Sequence, residues 1–171
     1  MNGDLAFAGV SEMPYPGGIL ALDIASKSGW CYGVPPRDAP SSPLLLYRAV
    51  SVSGSIGAKC SQLFDFLDRL VTRTGPRAIL FEAPLSRNFH TARITFSLCG
   101  IAEMVAHRRH VPICKEAKPL TVRKHFVGKC RRGDDGKRDT IERCNALGFE
   151  TSDSDEADAI ALWHYAREFM P

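Results

Sequence analysis

The sequence predicts a mixed α/β fold, in which a five-stranded sheet is flanked by helices. Three short apolar segments follow one another early in the chain, and helical and strand-like segments alternate after them. A length of 171 residues fits one domain with a substantial core. We expect a flexible leader over residues 1–17, which are polar and contain Gly and Pro, and a single domain over residues 18–171.

The strands are predicted from short runs of apolar residues that are bounded by turn residues. The first two runs are separated by a tight turn and predict a hairpin of buried strands. The fourth run ends at Glu82. The five predicted strands cover residues 18–25, 28–34, 44–52, 78–81 and 111–114.

The helices are predicted from apolar residues at helical spacing and from their end signals. Pro119 stands in the first turn of one helix, and Gly148 ends another. Residues 128–136 are interpreted as a basic loop that contains glycine. The predicted helices cover residues 57–73, 91–109, 119–127, 137–147 and 154–169.

The composition excludes several classes of protein. A hydrophobic share of 44% and a charged share of 24% are typical of a globular protein, not of a disordered chain or a coiled coil. No apolar run approaches the ~18–20 residues that span a bilayer, and no signal peptide is recognisable. We therefore expect a cytoplasmic protein without a membrane partner. The six cysteines form no C-x-x-C pair, which favours free thiols over a structural zinc site.

Charge is distributed unevenly along the chain. The formal net charge is +3, but residues 107–138 contain 11 Lys or Arg and three acids, a balance of +8, which leaves −5 for the rest. A basic segment beside an acidic remainder suits a protein that holds a polyanion and also keeps carboxylates for cations. A solvated Lys/Arg-rich surface explains the same charges equally well.

Two acids belong to predicted strands. Asp23 lies within an apolar strand, and Glu82 ends another. A buried carboxylate needs a donor or a cation, and polar residues at strand ends often line sites in open α/β sheets. Each acid alone also has a structural interpretation, Asp23 as a cap of the following turn and Glu82 as an exposed loop residue.

Two further acids share one face of the last predicted helix. Asp155 and Asp158 are three residues apart in its first turn, where the helix dipole favours acids. The four acids within residues 153–158 exceed that need. Together with the two strand acids they can form one carboxylate cluster. Such clusters bind Mg²⁺, and two ions can promote phosphodiester cleavage.

At these residues the sequence resembles the RuvC-type Holliday junction resolvases, which have the ribonuclease H-like fold of the retroviral integrase superfamily. The segments that carry the resemblance are ILALDIASKSGW with Asp23, ILFEAPL with Glu82, and DSDEADAIALWHY with Asp155 and Asp158. The stretch VRKHFVGKCRRGDDGKRDTIERCNALGF is similar to the segment that precedes the last helix in these nucleases. The resemblance spans roughly residues 18–166, and the short chain suggests the phage or prophage-like branch.

The resemblance implies a catalytic site that binds metal. Its metal ligands and catalytic acids are Asp23, Glu82, Asp155 and Asp158. It implies two Mg²⁺ ions, with Mn²⁺ as a substitute. A basic residue at the start of the penultimate helix assists catalysis in such enzymes. We assign that role to Lys137, with Arg138 one position away.

The resemblance also implies branched DNA as the substrate. Some members carry an aromatic wedge shortly after the strand-end Glu. Here Leu85 stands three residues after Glu82, and Phe89 follows as the alternative wedge. The residues expected to contact nucleic acid are Lys27, Arg87, Phe89, Arg123, Lys124, Lys129, Arg131, Arg132 and Arg138.

The expected protein is thus a metal-dependent endonuclease that resolves four-way DNA junctions in a bacterial cytoplasm, encoded by a bacterium or a phage. A homodimer is implied, because paired incisions need two active sites, and the predicted helix at residues 91–109 is a candidate interface. Two alternatives keep the fold: a YqgF-like RNA-processing nuclease and a non-catalytic nucleic-acid-binding module. An actin-like or sugar-kinase ATPase is disfavoured, because no Gly-rich phosphate loop is visible.

Overall fold

The computed structural model describes residues 16–35, 45–84, 88–129, 131 and 133–170. All but the last two residues of the predicted leader lie outside this part of the chain. Leu85, Arg87 and Arg132 also lie outside it. Among the described residues, no helix is both long and apolar enough to cross a membrane.

One mixed sheet forms the centre of the fold, with the strand order β3-β2-β1-β4-β5. β1 pairs antiparallel with β2, and β2 with β3, whereas β4 runs parallel to β1 and β5 parallel to β4. The sheet confirms the predicted mixed α/β fold and hairpin. The strands are β1 (Ile19–Asp23), β2 (Lys27–Gly33), β3 (Leu46–Ser51), β4 (Ala78–Glu82) and β5 (Ile113–Ala117).

The last strand differs from its prediction. It begins at Ile113, two residues after the predicted start, and continues through Ala117. Its register with β4 explains the shift, because Ala78 pairs with Ile113 and Glu82 pairs with Ala117. The end of β5 therefore lies beside Glu82.

Five helices flank the sheet in the described part of the chain. They are α1 (Ile56–Thr74), α2 (Phe89–Arg108), α3 (Pro119–Val127), α4 (Gly133–Ala146) and α5 (Ser154–Phe169). The predicted basic loop was too long, because α4 already begins at Gly133. Asp134 and Asp135 occupy its first turn, where the helix dipole favours negative charge.

Two apolar layers lie on opposite faces of the sheet. Leu20 and Leu22 of β1 pack with α1 and α2, whereas Ile19 and Ala21 pack with α3, α4 and α5. This alternation follows from the two-residue period of a strand. By the same alternation, Asp23 at the end of β1 belongs to the α5 face.

A glycine lets α5 approach the sheet closely. A Cβ atom on Gly29 of β2 would lie 1.8 Å from the carbonyl oxygen of Asp155. Gly29 pairs with Asp23 across the β1–β2 ladder. The lack of a side chain at Gly29 therefore sets the first turn of α5 against the end of β1.

We predict that Gly29→Ala lowers the free energy of unfolding by about 1–3 kcal/mol, because the clash is with backbone and α5 must move. Gly57→Ala is the matched control, since a Cβ there would meet only the Ser55 hydroxyl at 4.0 Å. The control should gain up to about 1 kcal/mol from helix propensity. Urea unfolding measures both variants, and equal stability of the two would contradict the close approach.

Candidate active site

The ends of two parallel strands place Asp23 and Glu82 side by side. Leu22 and Phe81, which precede them, are register partners of β1 and β4. Both acids belong to the sheet face that α5 covers, because Glu82 continues the alternation of Ala78 and Leu80. The Oε1 atom of Glu82 is buried and has no hydrogen-bond partner within the described structure.

The first turn of α5 supplies the other two acids. Asp153 caps the helix, and its carboxylate accepts a hydrogen bond from the backbone N–H of Asp155 at 2.9 Å. Asp158 lies one turn further on and is only 4% exposed. Asp155 and Asp158 both act electrostatically on Asp23, so the structure brings the predicted strand and helix acids together.

The pKa values of these carboxyls record how crowded the cluster is. Burial, together with the charges of Asp158 and Asp155, raises the pKa of Asp23 from 3.8 to about 7. Burial, with the charges of Asp23 and Asp158, also raises the pKa of Glu82 well above its usual range. A group of acids that resists ionisation in this way is stabilised by nearby cations.

Arg123 on α3 supplies the most direct of these cations. Its Nη2 atom donates to Oδ2 of Asp158 at 2.8 Å, and its Nε atom donates to Oδ1 at 3.3 Å. The Arg123 side chain is only 14% exposed. Burial raises the pKa of Asp158, and the bond to Arg123 opposes that rise.

Two lysines lie at the edge of the cluster. Nζ of Lys137 donates to the hydroxyl of Ser154 at 3.3 Å, and its charge lowers the pKa values of Asp23 and Asp158. Nζ of Lys27 lies 3.1 Å from Oδ2 of Asp155 and also pairs with Asp153. Both lysines therefore reach the end of α5 that bears the acids.

The other predicted basic residues that the structure describes make no ion pair with the four acids. Arg138 pairs with Asp135 on the exposed surface of α4. Of the two candidates Lys137 and Arg138, it is therefore Lys137 that faces the cluster. Lys129 and Arg131 pair with the buried Asp139 at 3.1 and 3.5 Å. In the described residues, neither they nor the exposed Lys124 makes an ion pair with the cluster.

Phe89 is the first residue of α2 and is 84% exposed. It follows Glu82 by seven residues, so a short connection joins it to the candidate site. The alternative wedge, Leu85, lies in the part of that connection outside the described residues.

Sequence reasoning missed three features of this region. Arg123 was interpreted as a phosphate contact, and nothing in the sequence indicates its bond to Asp158. Gly29 was not singled out, although a glycine inside a strand often marks a close backbone approach. Asp139 was not singled out either, because its ion pairs with Lys129 and Arg131 depend on the tertiary structure.

The chemical type of these ligands is suitable for a hard divalent cation. Its four acids offer carboxylate oxygens, the ligands that Mg²⁺ prefers, and the unpartnered Glu82 oxygen is a vacant acceptor. As arranged, however, the described residues contain no group of three or more His, Cys, Asp or Glu side chains that could hold a metal ion. Asp158 is engaged by Arg123, and Asp155 by Lys27.

Known proteins supply an independent comparison. No family model matches the chain. The chain is 31% identical over 155 residues to the crossover junction endodeoxyribonuclease RuvC of Anaeromyxobacter dehalogenans (strain 2CP-C), an alignment that covers 87% of this chain and 80% of that protein. The chain belongs to the RuvC family. This membership confirms the resemblance drawn from the sequence motifs.

Solved RuvC structures have the same fold. Thermus thermophilus RuvC in complex with a Holliday junction substrate superimposes with a TM-score of 0.69 at 18% identity, covering 89% of this chain and 96% of that one. The yeast mitochondrial Holliday junction resolvase Ydc2 gives a TM-score of 0.59 at 13% identity, covering 98% of this chain and 87% of that one. The predicted ribonuclease H-like fold is thus confirmed.

We predict that the buried acids lower the stability of the metal-free protein as the pH rises, against an opposite contribution from His164, whose pKa burial lowers to about 4. The pKa of Asp23 is raised from 3.8 to about 7 in the folded state, so the fold binds this proton more tightly than the unfolded chain does. Stability should therefore fall between about pH 4 and pH 7, by at most about 4 kcal/mol for this group. Glu82 and Asp158 contribute in the same direction.

Urea unfolding in EDTA at several pH values measures this dependence. Asp23→Asn should remove the Asp23 contribution and should be more stable than the unsubstituted protein at pH 8, because a repelled charge is gone. The same pH dependence in Asp23→Asn and in the unsubstituted protein would contradict the crowding of these acids, since the His164 contribution is common to both.

Proposed function

We propose that this protein is a metal-dependent, structure-selective endodeoxyribonuclease that resolves four-way DNA junctions by phosphodiester hydrolysis. The observation that carries the proposal is the convergence of Asp23, Glu82, Asp155 and Asp158 at one end of the sheet, in a member of the RuvC family. The four acids act as the catalytic metal ligands.

The chemistry assigned to the site follows from its donors. Two Mg²⁺ ions, or Mn²⁺ in their place, would supply an activated water and would stabilise the leaving oxygen. The four carboxylates would hold these ions, and the sheet end and α5 fix where the carboxylates stand. Burial keeps the surroundings of Asp23 and Glu82 poor in water, which strengthens each electrostatic contact.

Lys137 has a catalytic role in this proposal. Its ammonium acts on two of the acids and lies at the start of α5, within reach of Ser154. A phosphate bound over the acids would thus meet a positive charge, which stabilises negative charge that develops during attack. Arg138 is a weaker candidate for this role, because Asp135 engages it.

Binding of DNA is assigned to the basic residues around the site. Asp139 holds Lys129 and Arg131 together, and Lys124 projects from α3 nearby in sequence. Ordered basic side chains of this kind neutralise phosphates. Phe89, exposed at the start of α2, is the proposed wedge. Lys27, Arg87, Arg123, Arg132 and Arg138 remain predicted phosphate contacts.

We also infer a homodimer that forms through α2. Phe96, Gly100 and Met104 succeed one another every four residues, so they share one helix face, and all three are exposed. The largest of these side chains, that of Phe96, is 61% exposed. A second copy of this chain would cover the apolar face, and two active sites would then act on one junction.

The proposed activity predicts that Asp155→Asn lowers cleavage of a synthetic four-way junction by at least about 10²–10³-fold, because one charged ligand is lost. Junction binding should survive. Asp153→Asn is the matched control, since it removes a charge two residues away but asparagine caps helices equally well. The assay is nicking of labelled junctions with and without Mg²⁺.

Linear duplex, flap and RNA substrates complete that assay. Preferential cleavage of RNA would favour an RNA-processing nuclease. Binding of junctions without Mg²⁺-dependent cleavage would instead indicate a non-catalytic module.

For Lys137 we expect Lys137→Ala to lower the single-turnover cleavage rate by ~10²-fold, because a charge next to the reacting phosphate is removed. Junction affinity should change by less than tenfold, or ~1.4 kcal/mol. Arg138→Ala tests the neighbouring position and should cleave at the normal rate. A normal rate for Lys137→Ala beside a slow Arg138→Ala would transfer the role by one residue.

The dimer predicts that Phe96→Glu yields a monomer, because a charge placed in the apolar face opposes its burial. Phe169→Glu is the matched control, since Phe169 is also exposed but lies at the end of α5. Sedimentation equilibrium measures the mass of both variants. A dimeric mass for both variants would place the interface elsewhere, and a monomeric mass for both would contradict an interface that depends on Phe96.

A further inference from the structure

The ion pair between Arg123 and Asp158 uses both oxygens of the Asp158 carboxylate. Both carboxylate oxygens accept from the guanidinium, and both side chains are largely enclosed, at 14% and 5% exposure. Two parallel bonds of this kind are among the stronger polar contacts in proteins. Asp158 is thereby satisfied without any metal ion.

The same pairing leaves the remaining acids incomplete. Glu82 retains a buried oxygen without a partner in the described structure. Within the described residues, no three potential ligands stand close enough to hold a cation. The cluster therefore has oxygen ligands for a metal cation, while the carboxylate of Asp158 is already paired with the Arg123 guanidinium.

A divalent cation and the guanidinium compete for Asp158. Two cations on one carboxylate repel each other, so a divalent cation binds Asp158 less favourably while the guanidinium occupies both of its oxygens. If they were to share Asp158, each would weaken the binding of the other by the same factor.

We propose that Arg123 is a resident counter-cation of Asp158, displaced when the acid cluster takes up a divalent cation. The inference rests on the proposed metal-dependent function. Displacement frees a guanidinium whose planar fork matches a phosphate group. In the metal-free protein Arg123 stabilises the buried acids, and in the loaded protein it is available to the DNA backbone.

The first test observes Arg123 directly in the unsubstituted protein without DNA. ¹H–¹⁵N spectra record the side-chain Nε–H of arginine, which is protected from exchange while it is hydrogen-bonded. We expect the Arg123 signal, assigned by its loss in Arg123→Lys, to be present in EDTA and to shift or disappear as Mg²⁺ saturates the protein. Calorimetry in parallel reports whether Mg²⁺ binds. Binding of Mg²⁺ with an unchanged Arg123 signal would overturn the displacement.

The second test compares Mg²⁺ affinities. Arg123→Gln should bind Mg²⁺ at least about fivefold more tightly than the unsubstituted protein, which is the low end of typical coupling between competing ligands. Lys137→Gln removes a charge that acts on the same acids through space, so it reports the effect of charge alone. Equal tightening in the two variants would overturn direct competition at Asp158.

The two tests also separate this inference from the proposed function. Absence of any Mg²⁺ or Mn²⁺ binding would overturn the metal centre and this inference with it. Metal binding and junction cleavage with Arg123 still on Asp158 would overturn this inference alone. The spectra need only Arg123→Lys, which keeps the positive charge, for assignment, so they decide the question even where Arg123→Gln fails to fold.

Discussion

The close packing of α5 on β2 is the contact on which the candidate site depends. Gly29 leaves room for the backbone of Asp155 beside the end of β1, and Ala157 and Ala161 keep the buried face of α5 narrow. A side chain at Gly29 would separate the helix acids from the strand acids. The site is therefore assembled by backbone proximity, which rigid elements hold in place, and not by a loop.

Charge balance is the second constraint. Four carboxylates at the edge of a buried sheet end are costly, and the raised pKa of Asp23 expresses that cost. Arg123 offsets it from within, while Lys27 and Lys137 offset it from the rim. Some basic residues of this chain are thus directed inward at the acids, and the proposed function assigns others to DNA.

Much of the fold follows from local pattern. The hairpin, the strand that ends at Glu82 and the helices at α1, α3 and α5 lie within a few residues of their predicted bounds, because apolar periodicity and Gly or Pro signals act locally. The bounds of β5 and α4 were wrong. The bounds of β5 are set by its pairing with β4. The helix α4 starts inside a basic segment that contains glycine. The local pattern of apolar residues indicates neither of these.

The sequence by itself determined which acids are candidates, since Asp23, Glu82, Asp155 and Asp158 stand at strand ends and on one helix face. Only the tertiary structure decided which basic side chains form ion pairs with the acids of this region. Arg123 is 35 residues from Asp158, and Lys27 is 126 residues from Asp153. No periodicity links residues so far apart. Their pairing arises because α3 and the β1–β2 turn are packed around the first turn of α5, and that packing is a property of the whole fold.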